Sequence, residues 1–259
     1  MCAGDNNDVL PANDYPYETA ADRDGKEQNW VFGTMYKILD AIDSGILVNP
    51  ALSQLAPYIP NPATYKCPAD FTQLQRHDRQ RSVSMNSAVG TCWWTAGLGT
   101  ASSATHAASS GCVVGGPVGG GWLGGNGITY ITGMNPNYYT YGTTASMRVP
   151  GPSSTWLIMD ENPSTINDGS LAISCQPSPN QVVVDYPANY HDGGAGIAYA
   201  DGHSEIHVWH DIFLLFPPIP NVTTPFPESG QFVSNVPGVS GLTDSKDVDY
   251  IAPLTSAPR

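Results

Sequence analysis

The sequence has few charged residues, and few of these are basic. Only 13% of its 259 residues are charged, with 10 Lys and Arg against 23 Asp and Glu, so the net charge is -13. An acidic chain of this kind disfavours nucleic acid and anionic membrane surfaces as partners and is compatible with cation binding. The chain also opens without the run of about 20 apolar residues that spans a bilayer. We therefore expect no nucleic-acid partner and no membrane contact for this chain.

The common sequence signatures of several enzyme classes are missing as well. The chain contains no Gly-x-Ser-x-Gly elbow, no phosphate-binding Gly-x-x-x-x-Gly-Lys-Ser/Thr loop and no His-Glu-x-x-His helix. The segment from Gly119 to Gly124 spells Gly-x-Gly-x-x-Gly, but it lies in a glycine-rich stretch with no helix start after it. These absences argue against a serine-hydrolase elbow, a phosphate-binding loop and a His-Glu-x-x-His metalloprotease.

The cysteines form no C-x-x-C pair, which excludes a zinc ribbon or a thioredoxin-like motif. The five are Cys2, Cys67, Cys92, Cys112 and Cys175, an odd number that leaves at least one without an internal partner. Cys92 and Cys112 flank the small-residue segment 95–111, where a disulfide would hold a loop that buries little apolar surface. Cys67 and Cys175 either pair or stay free.

Glycine and proline are abundant, 27 and 23 residues, and predict many turns and few long helices. Residues 29–43 have the apolar spacing of a helix, with a C-cap at Ser44-Gly45. A short helix is predicted at 51–55. Segments 81–89 and 155–159 are predicted to be strands.

The stretch from His191 to Trp209 predicts a β-hairpin. Asp201-Gly202 is typical of a two-residue turn with positive φ, between segments 195–200 and 203–209. Pairing Ala200 with His203 places a core face, made of Ile197, Tyr199, Ile206 and Val208, opposite a polar face. His191 and Asp201 then lie about 30 Å apart, at opposite ends of one strand. We expect His191 near His210 and Asp211 instead.

Several short sequence blocks follow one another along the chain. They are Asp5 to Pro11, Leu55 to Tyr58, Tyr65 to Asp70, Arg81 to Asn86, Asp160-Glu161 with Ile166 to Gly169, Tyr186 to His191, and His191-x9-Asp201-Gly202. Together they resemble the H-x9-DG pilin-like proteins of planctomycete and verrucomicrobial bacteria. The resemblance implies an α+β type IV pilin or pseudopilin fold, with an N-terminal helix packed on an antiparallel sheet. Such proteins begin with a leader and a membrane helix, so we expect either that the helix is truncated here or that this chain is a soluble relative that never joins a filament.

The resemblance also implies a role and an organisation. The implied function is an exported subunit of a type II secretion-like pseudopilus or a pilus, whose partners are other pilin-like subunits. We expect a helical part and first strand over 1–89, a Gly- and aromatic-rich insertion over 90–150, and the hairpin sheet over 151–216. A Pro-rich extended tail is expected over 217–259.

A calcium site is one candidate for the chemistry of this chain. Asp160, Glu161 and Asp168 offer oxygen ligands around a loop between predicted strands, which suits calcium. Pseudopilins include members with calcium in a C-terminal loop, so the resemblance favours this hypothesis. The alternative is that Asn167-Asp168-Gly169 makes a turn and the acids are solvated.

A second candidate lies on the predicted polar strand face. His203, Glu205 and His207 alternate there, but the two histidines are about 13 Å apart and cannot share one ion. A cross-strand group such as Asp160 would be needed to complete a smaller site. The alternative is a wet polar face without a ligand.

A different class of function is a secreted polysaccharide-active enzyme or binding protein. Glu161 and Asp160 are the candidate acid and base, and a sugar platform is predicted at Trp93, Trp94, Trp122, Tyr138 and Tyr139. Adjacent strand residues point to opposite faces, so Asp160 with Asp168, or Glu161 with Asp185 or Asp192, is easier geometrically. The alternative is that the aromatic residues only pack locally.

Overall fold

The computed structural model describes residues 2–13, 29–35, 37–92, 115–125, 135–216, 220–222, 231–232 and 244–259. Its helices are α1 (Cys2–Asp5), α2 (Ile38–Ala41), α3 (Ser44–Leu47) and α4 (Lys246–Thr255), and its 3-10 turns are Pro62–Tyr65, Thr144–Ser146, Pro152–Ser154 and Ile212–Leu215. Its strands are β1 (Gln73–Leu74), β2 (His77–Asp78), β3 (Val83–Asn86), β4 (Trp156–Asp160), β5 (Ser170–Leu171), β6 (Val182–Val183), β7 (Gly194–Tyr199), β8 (Ser204–Val208), β9 (Asn221–Val222) and β10 (Gln231–Phe232).

Within the described part of the chain, no helix is both long enough and apolar enough to cross a bilayer.

The main sheet has five strands in the order β5-β3-β4-β7-β8. β3, β4, β7 and β8 are successively antiparallel, and β5 joins β3 in parallel. The predicted strands at 81–89 and 155–159 are therefore confirmed as β3 and β4. The chain is α+β, as predicted.

One face of this sheet, the inner face, packs against helix α4. Met159 of β4 and Ile197 of β7 are at most 1% exposed and share a core with Val248 and Ile251 of the helix. The Trp156 indole also donates a hydrogen bond of 2.9 Å to the Thr255 hydroxyl. Because apolar burial contributes roughly 25 cal/mol per Å², this layer is a main source of stability.

The opposite, outer face is only half covered. Around Met85 of β3 it packs against a second core that contains Trp30, Leu47 and Tyr65. Toward β7 and β8 it opens into a groove of about 410 Å³. That groove passes Asp160 at the end of β4.

The hairpin is confirmed, but its predicted register is wrong by one residue. Ala198 pairs with Ser204 and Ile197 with Glu205, so the loop has three residues rather than two. Gly202 has φ +95 and donates its N–H to the Tyr199 carbonyl at 3.0 Å, while Asp201 keeps a negative φ. This is the pattern of a type I turn followed by one left-handed residue.

The one-residue slip exchanges the two faces of β8. Ile206 and Val208, predicted to be core, are 59% and 50% exposed on the outer face. Glu205 and His207 take the inner face in their place, beside Tyr250 of α4. A strand whose side chains alternate cannot change register without this exchange.

The predicted helix over 29–43 is wrong for most of its length. Only Ile38–Ala41 is helical, and residues 29–35 are irregular, with Trp30 donating its N–H to the Ala12 carbonyl and Met35 donating its N–H to the Asn167 carbonyl. Gly33 has φ +100, which a helix cannot accommodate. The segment 44–45 begins α3, with the Asp43 carboxylate as its N-cap, instead of ending a helix.

Two further predictions need correction. Residues 51–55 form turns and a β-bridge rather than a helix. The tail predicted to run extended over the surface contains α4, whose inner side is buried against the sheet. Within the described residues, the helix that packs on this sheet is C-terminal, whereas the resemblance implied a truncated N-terminal helix in this role.

Among the cysteines, Cys67 and Cys175 are free thiols. Cys92 is disulfide-bonded. Cys112 lies outside the described residues, so its predicted pairing with Cys92 stays a prediction.

Candidate metal centre

Three potential metal ligands from distant parts of the chain converge behind the groove. The Cys67 thiol lies 3.3 Å from His191 Nε2, and the same nitrogen lies 3.2 Å from Asp160 Oδ2. The three ligand atoms are all within 4.8 Å of one another. In the described part of the chain, no other group of three or more His, Cys, Asp or Glu side chains meets this condition.

Cys67 is held by the loop that precedes β1. The Cys67 N–H donates to the Ser82 hydroxyl at 2.7 Å, and Ser82 in turn donates its N–H to the Tyr65 carbonyl. The sulfur also accepts from the Ala69 N–H at 3.4 Å. The loop therefore presents a buried thiol whose position is fixed by hydrogen bonds on both sides.

Asp160 and His191 are fixed by the sheet. Asp160 ends β4, and its Oδ2 accepts the Gly196 N–H of β7 at 2.8 Å. His191 opens a tight turn in which its N–H and carbonyl both bond to Gly194, with Asp192 and Gly193 at positive φ. That turn points the imidazole back at the end of β4.

Gly196 leaves the space into which these groups converge. A Cβ at this position would lie 3.0 Å from Asp160 Oδ2 and 3.9 Å from His191 Nε2. The first distance is shorter than an ordinary van der Waals contact, so any side chain at position 196 would press on the Asp160 carboxylate. Gly196 also lines the outer groove, which therefore adjoins the ligand atoms.

The electrostatics of the cluster disfavour its acidic groups as free anions. Burial, followed by the charges of Asp160 and Asp70, raises the pKa of the Cys67 thiol. Burial also raises the pKa of Asp160, although the Gly196 N–H and His191 act against this. Asp70 adds a second buried carboxylate whose Oδ2 has no hydrogen-bond partner in the described structure. A bound cation would stabilise the ionised forms of this thiol and these carboxyl groups, because it lies close to their negative charges.

The geometry differs from that of a thiol protease. A catalytic Cys-His-Asp relay uses both imidazole nitrogens, one toward the nucleophile and the other toward the carboxylate. Here Nε2 alone faces both Cys67 and Asp160. The raised thiol pKa is also opposite to that of an activated nucleophile.

The separations instead match those between ligands of one tetrahedral ion. Zinc binds sulfur at about 2.3 Å, and nitrogen and oxygen at about 2.0 to 2.2 Å, which puts neighbouring ligand atoms roughly 3.4 to 3.6 Å apart. The observed sulfur–nitrogen and nitrogen–oxygen distances, 3.3 Å and 3.2 Å, need only a few tenths of an ångström of expansion. The third pair, Cys67 Sγ and Asp160 Oδ2, lies within 4.8 Å, so one ion can contact all three atoms after a small adjustment of the side chains.

The structure does not bring together the three carboxylates predicted as a calcium site. Asp160 faces Cys67 and His191 on the outer face, whereas Glu161 is fully buried on the other side, near Arg81 and Asp168. Burial raises the pKa of Glu161 to about 8. Neither of its oxygens has a partner in hydrogen-bond geometry among the described residues, although the Ser84 and Thr165 hydroxyls lie beside it. The same opposed orientation keeps Asp160 and Glu161 from acting as one acid and base pair.

The strand face with His203, Glu205 and His207 is engaged in aromatic contacts. The Tyr199 and Tyr250 hydroxyls both donate to Glu205, at 2.8 Å and 2.6 Å. His203 stacks on Tyr199 and His207 stacks on Tyr250, with ring centroids 4.2 Å and 3.6 Å apart. These residues form no metal-ligating group with Asp160 within the described structure.

The aromatic residues predicted as a sugar platform are dispersed where they are described. Tyr138 is buried in the second core, and Trp122 packs against a small cluster with Val182. Tyr139 is 40% exposed and lies under the Arg259 guanidinium. Trp93 and Trp94 lie outside the described residues.

The hairpin motif is partly as predicted. His191 and Asp201 do not share a site, since Asp201 bonds to His203 while His191 joins Asp160. The returning strand does end beside the His191 turn, where Trp209 donates its N–H to Gly193 at 3.0 Å. The imidazole itself turns to Cys67 and Asp160, rather than to His210 or Asp211.

Sequence reasoning missed Cys67 and His191 as partners, because no local spacing connects them. A signal was nevertheless present in the blocks that carry the resemblance. Cys67 lies in the block from Tyr65 to Asp70, Asp160 opens another, and His191 starts the H-x9-DG segment. Three of the separate blocks thus meet at one point in space.

Comparisons with known proteins identify no relative. The chain matches no protein-family profile, no curated protein and no solved structure.

Proposed function

We propose that this chain binds one transition-metal ion of the zinc class through Cys67, Asp160 and His191. The observation that carries the proposal is the convergence of a thiol, an imidazole nitrogen and a carboxylate oxygen within 4.8 Å. These ligands come from a loop, the end of β4 and the turn before β7. A bound ion would hold these three segments together and so stabilise the fold.

The donor set selects the kind of ion. Calcium and magnesium take oxygen ligands, whereas a thiolate and an imidazole suit zinc and its neighbours in the transition series. The calcium predicted at Asp160, Glu161 and Asp168 would need Asp160 to leave His191 and Glu161 to leave its buried position. The geometry therefore supports zinc at the new site better than calcium at the predicted one.

The direct test is metal binding by the purified chain. Elemental analysis after dialysis against zinc is expected to find about one ion per chain, with a melting temperature that falls on chelation and recovers with zinc but not with calcium. Cobalt is expected to replace zinc and to give the intense visible and near-ultraviolet bands of a tetrahedral thiolate site.

Matched variants distinguish the loss of a metal ligand from the general effect of a substitution on stability. Cys67→Ser, Asp160→Asn and His191→Ala are each expected to remove most of the zinc-dependent shift in melting temperature. Their controls are Cys175→Ser, Asp201→Asn and His203→Ala, which change the same residue types away from the cluster. Zinc binding at full stoichiometry in all three site variants, or none in the parent chain, would refute the proposal.

The wider role implied by the resemblance is a separate proposal. We infer an exported pilin-like subunit, and the meeting of three of its sequence blocks at one site supports a common scaffold. In cells, the protein is then expected outside the cytoplasm and in a sheared filament fraction together with other pilin-like subunits. Recovery of the protein only from the cytoplasm would contradict this role.

The polysaccharide hypothesis keeps a simple test but has less support. The described aromatic side chains do not form a common surface, and Asp160 and Glu161 face opposite ways. A screen against β-glucans, xylans and pectins is therefore expected to show neither binding nor new reducing ends. Sugar release that disappears in Glu161→Gln would reverse this conclusion.

A further inference from the structure

The outer groove runs up to the candidate metal centre. Its wall is formed mainly by Val83, Ile158, Gly196, Ala198 and Ile206, and Asp160 belongs to the same lining. Gly196 connects the two features, because the position of its missing Cβ lies within 4 Å of ligand atoms of both Asp160 and His191. A molecule in the groove would therefore reach the ion.

Three protein ligands leave one position of a tetrahedral ion free, which is the arrangement of sites that accept an exogenous ligand. Closed structural sites have four protein ligands. In this cluster the described residues supply three. The His191 side chain is also 28% exposed, so the cluster is accessible from outside.

The charges at the site indicate what kind of donor fits. A divalent ion with one thiolate and one carboxylate is formally neutral, so an anionic fourth ligand would make it negative. Asp70 adds another buried negative charge, which acts on both Cys67 and Asp160, and the whole chain carries -13. A neutral donor avoids this repulsion.

We propose that the groove binds a small ligand with an apolar body and a neutral aromatic nitrogen, which occupies the free position of the metal. This inference rests on the proposed metal site and adds its ligand class. The apolar body would lie against Ile158, Ala198 and Ile206. Ile206 is the most exposed of these, at 59%, and has most to gain from being covered.

The test uses the cobalt-substituted protein and three probes: imidazole, 4-phenylimidazole and benzoate. 4-Phenylimidazole is expected to shift the visible bands of cobalt and to bind at least about ten-fold more tightly than imidazole, because its phenyl ring adds buried apolar area in the groove. Benzoate is expected to bind more weakly than 4-phenylimidazole. Equal affinity for the two imidazoles, or tighter binding of benzoate, would overturn the inference.

A variant pair shows whether the groove is responsible. Ile206→Ala trims the groove wall, whereas Val208→Ala makes a similar change on the same face of β8 outside the groove lining. The first is expected to reduce the preference for 4-phenylimidazole over imidazole by at least about three-fold, and the second to leave it unchanged. The same loss in both would count against the groove.

The outcomes also distinguish this inference from the metal site itself. Cobalt bands that no probe alters would leave the metal site in place and remove the ligand. Failure of the chain to bind cobalt at all would remove both.

Discussion

Replacing Glu161 by Gln is expected to abolish much of the pH dependence of stability between pH 5 and pH 8. The Glu161 side chain is fully buried, and burial raises its pKa from 4.5 to about 8. In the unfolded chain this carboxyl ionises near its ordinary pKa, whereas in the folded protein it stays protonated. Between these two values the unfolded state releases a proton that the folded state keeps.

The sign of the effect follows from this difference. Since the folded-state pKa is the higher one, the contribution to stability is fully present below pH 4.5 and is lost as the pH rises through about 8. Each unit of pKa difference corresponds to about 1.36 kcal/mol, so the complete loss amounts to a few kcal/mol. Arg81 and Asp168 act on the same carboxyl in opposite directions.

Urea unfolding at several pH values, in the presence of a chelator, measures this contribution. The free energy of unfolding of the parent chain is expected to fall by a few kcal/mol more than that of Glu161→Gln between pH 5 and pH 8. Glu205→Gln is the matched control, because hydrogen bonds from Tyr250 and Tyr199 lower the pKa of Glu205 and place its effect below pH 4.5. Parallel pH profiles for the parent chain and Glu161→Gln would refute the reasoning.

Three further predictions concern single positions. Gly202→Val is expected to cost more than about 1 kcal/mol of unfolding free energy, because φ is +95 there, while Gly151→Val at φ -69 should cost less; equal costs would remove the turn assignment. Asp247→Ala is expected to cost about 3 kcal/mol in urea unfolding, because its carboxylate accepts three backbone N–H groups at 2.6 to 3.1 Å; a loss under about 0.5 kcal/mol would contradict this. Gly196→Val is expected to weaken zinc binding at least about ten-fold in a calorimetric titration, since the new Cβ would press on Asp160; unchanged affinity would show that the strand yields.

Sequence patterns predicted the sheet better than the helices. The apolar run in 155–159 and the alternating apolar residues in 195–209 are local signals, and both segments contain the strands predicted from them. The helical spacing in 29–43 was misleading, because Val31 and Met35 are buried in two different cores by an irregular segment. Apolar spacing records which residues are buried, and an irregular segment between two cores can bury the same positions as a helix.

For the hairpin, the two strands were predicted correctly, but the buried face of β8 was not. Asp201-Gly202 suits both a two-residue turn and the three-residue turn that is observed, and the choice between them reverses β8. Ile206 and Val208 looked like core residues, yet they are exposed. The packing of α4 on the inner face decides the register, because Tyr250 contacts Glu205 and His207 there. No local sequence pattern contains that information.

The candidate metal centre was the least predictable part. Asp160 was identified as a candidate ligand, but its neighbours on the chain, Glu161 and Asp168, face another environment. Its partners in space are Cys67 and His191, which depend on the pairing of β4 with β7 and on the packing of a distant loop. Ligand sets assembled by tertiary structure have no fixed spacing to recognise.

The wide separation of these ligands along the chain has a consequence for folding kinetics. A site made from one loop, one strand end and one turn cannot exist before β4 and β7 have paired, so an ion would find its full set of ligands only late on the folding pathway. Interactions formed after the transition state slow unfolding and leave the folding rate nearly unchanged. A bound ion would then slow unfolding much more than it speeds folding, and so extend the lifetime of the folded protein.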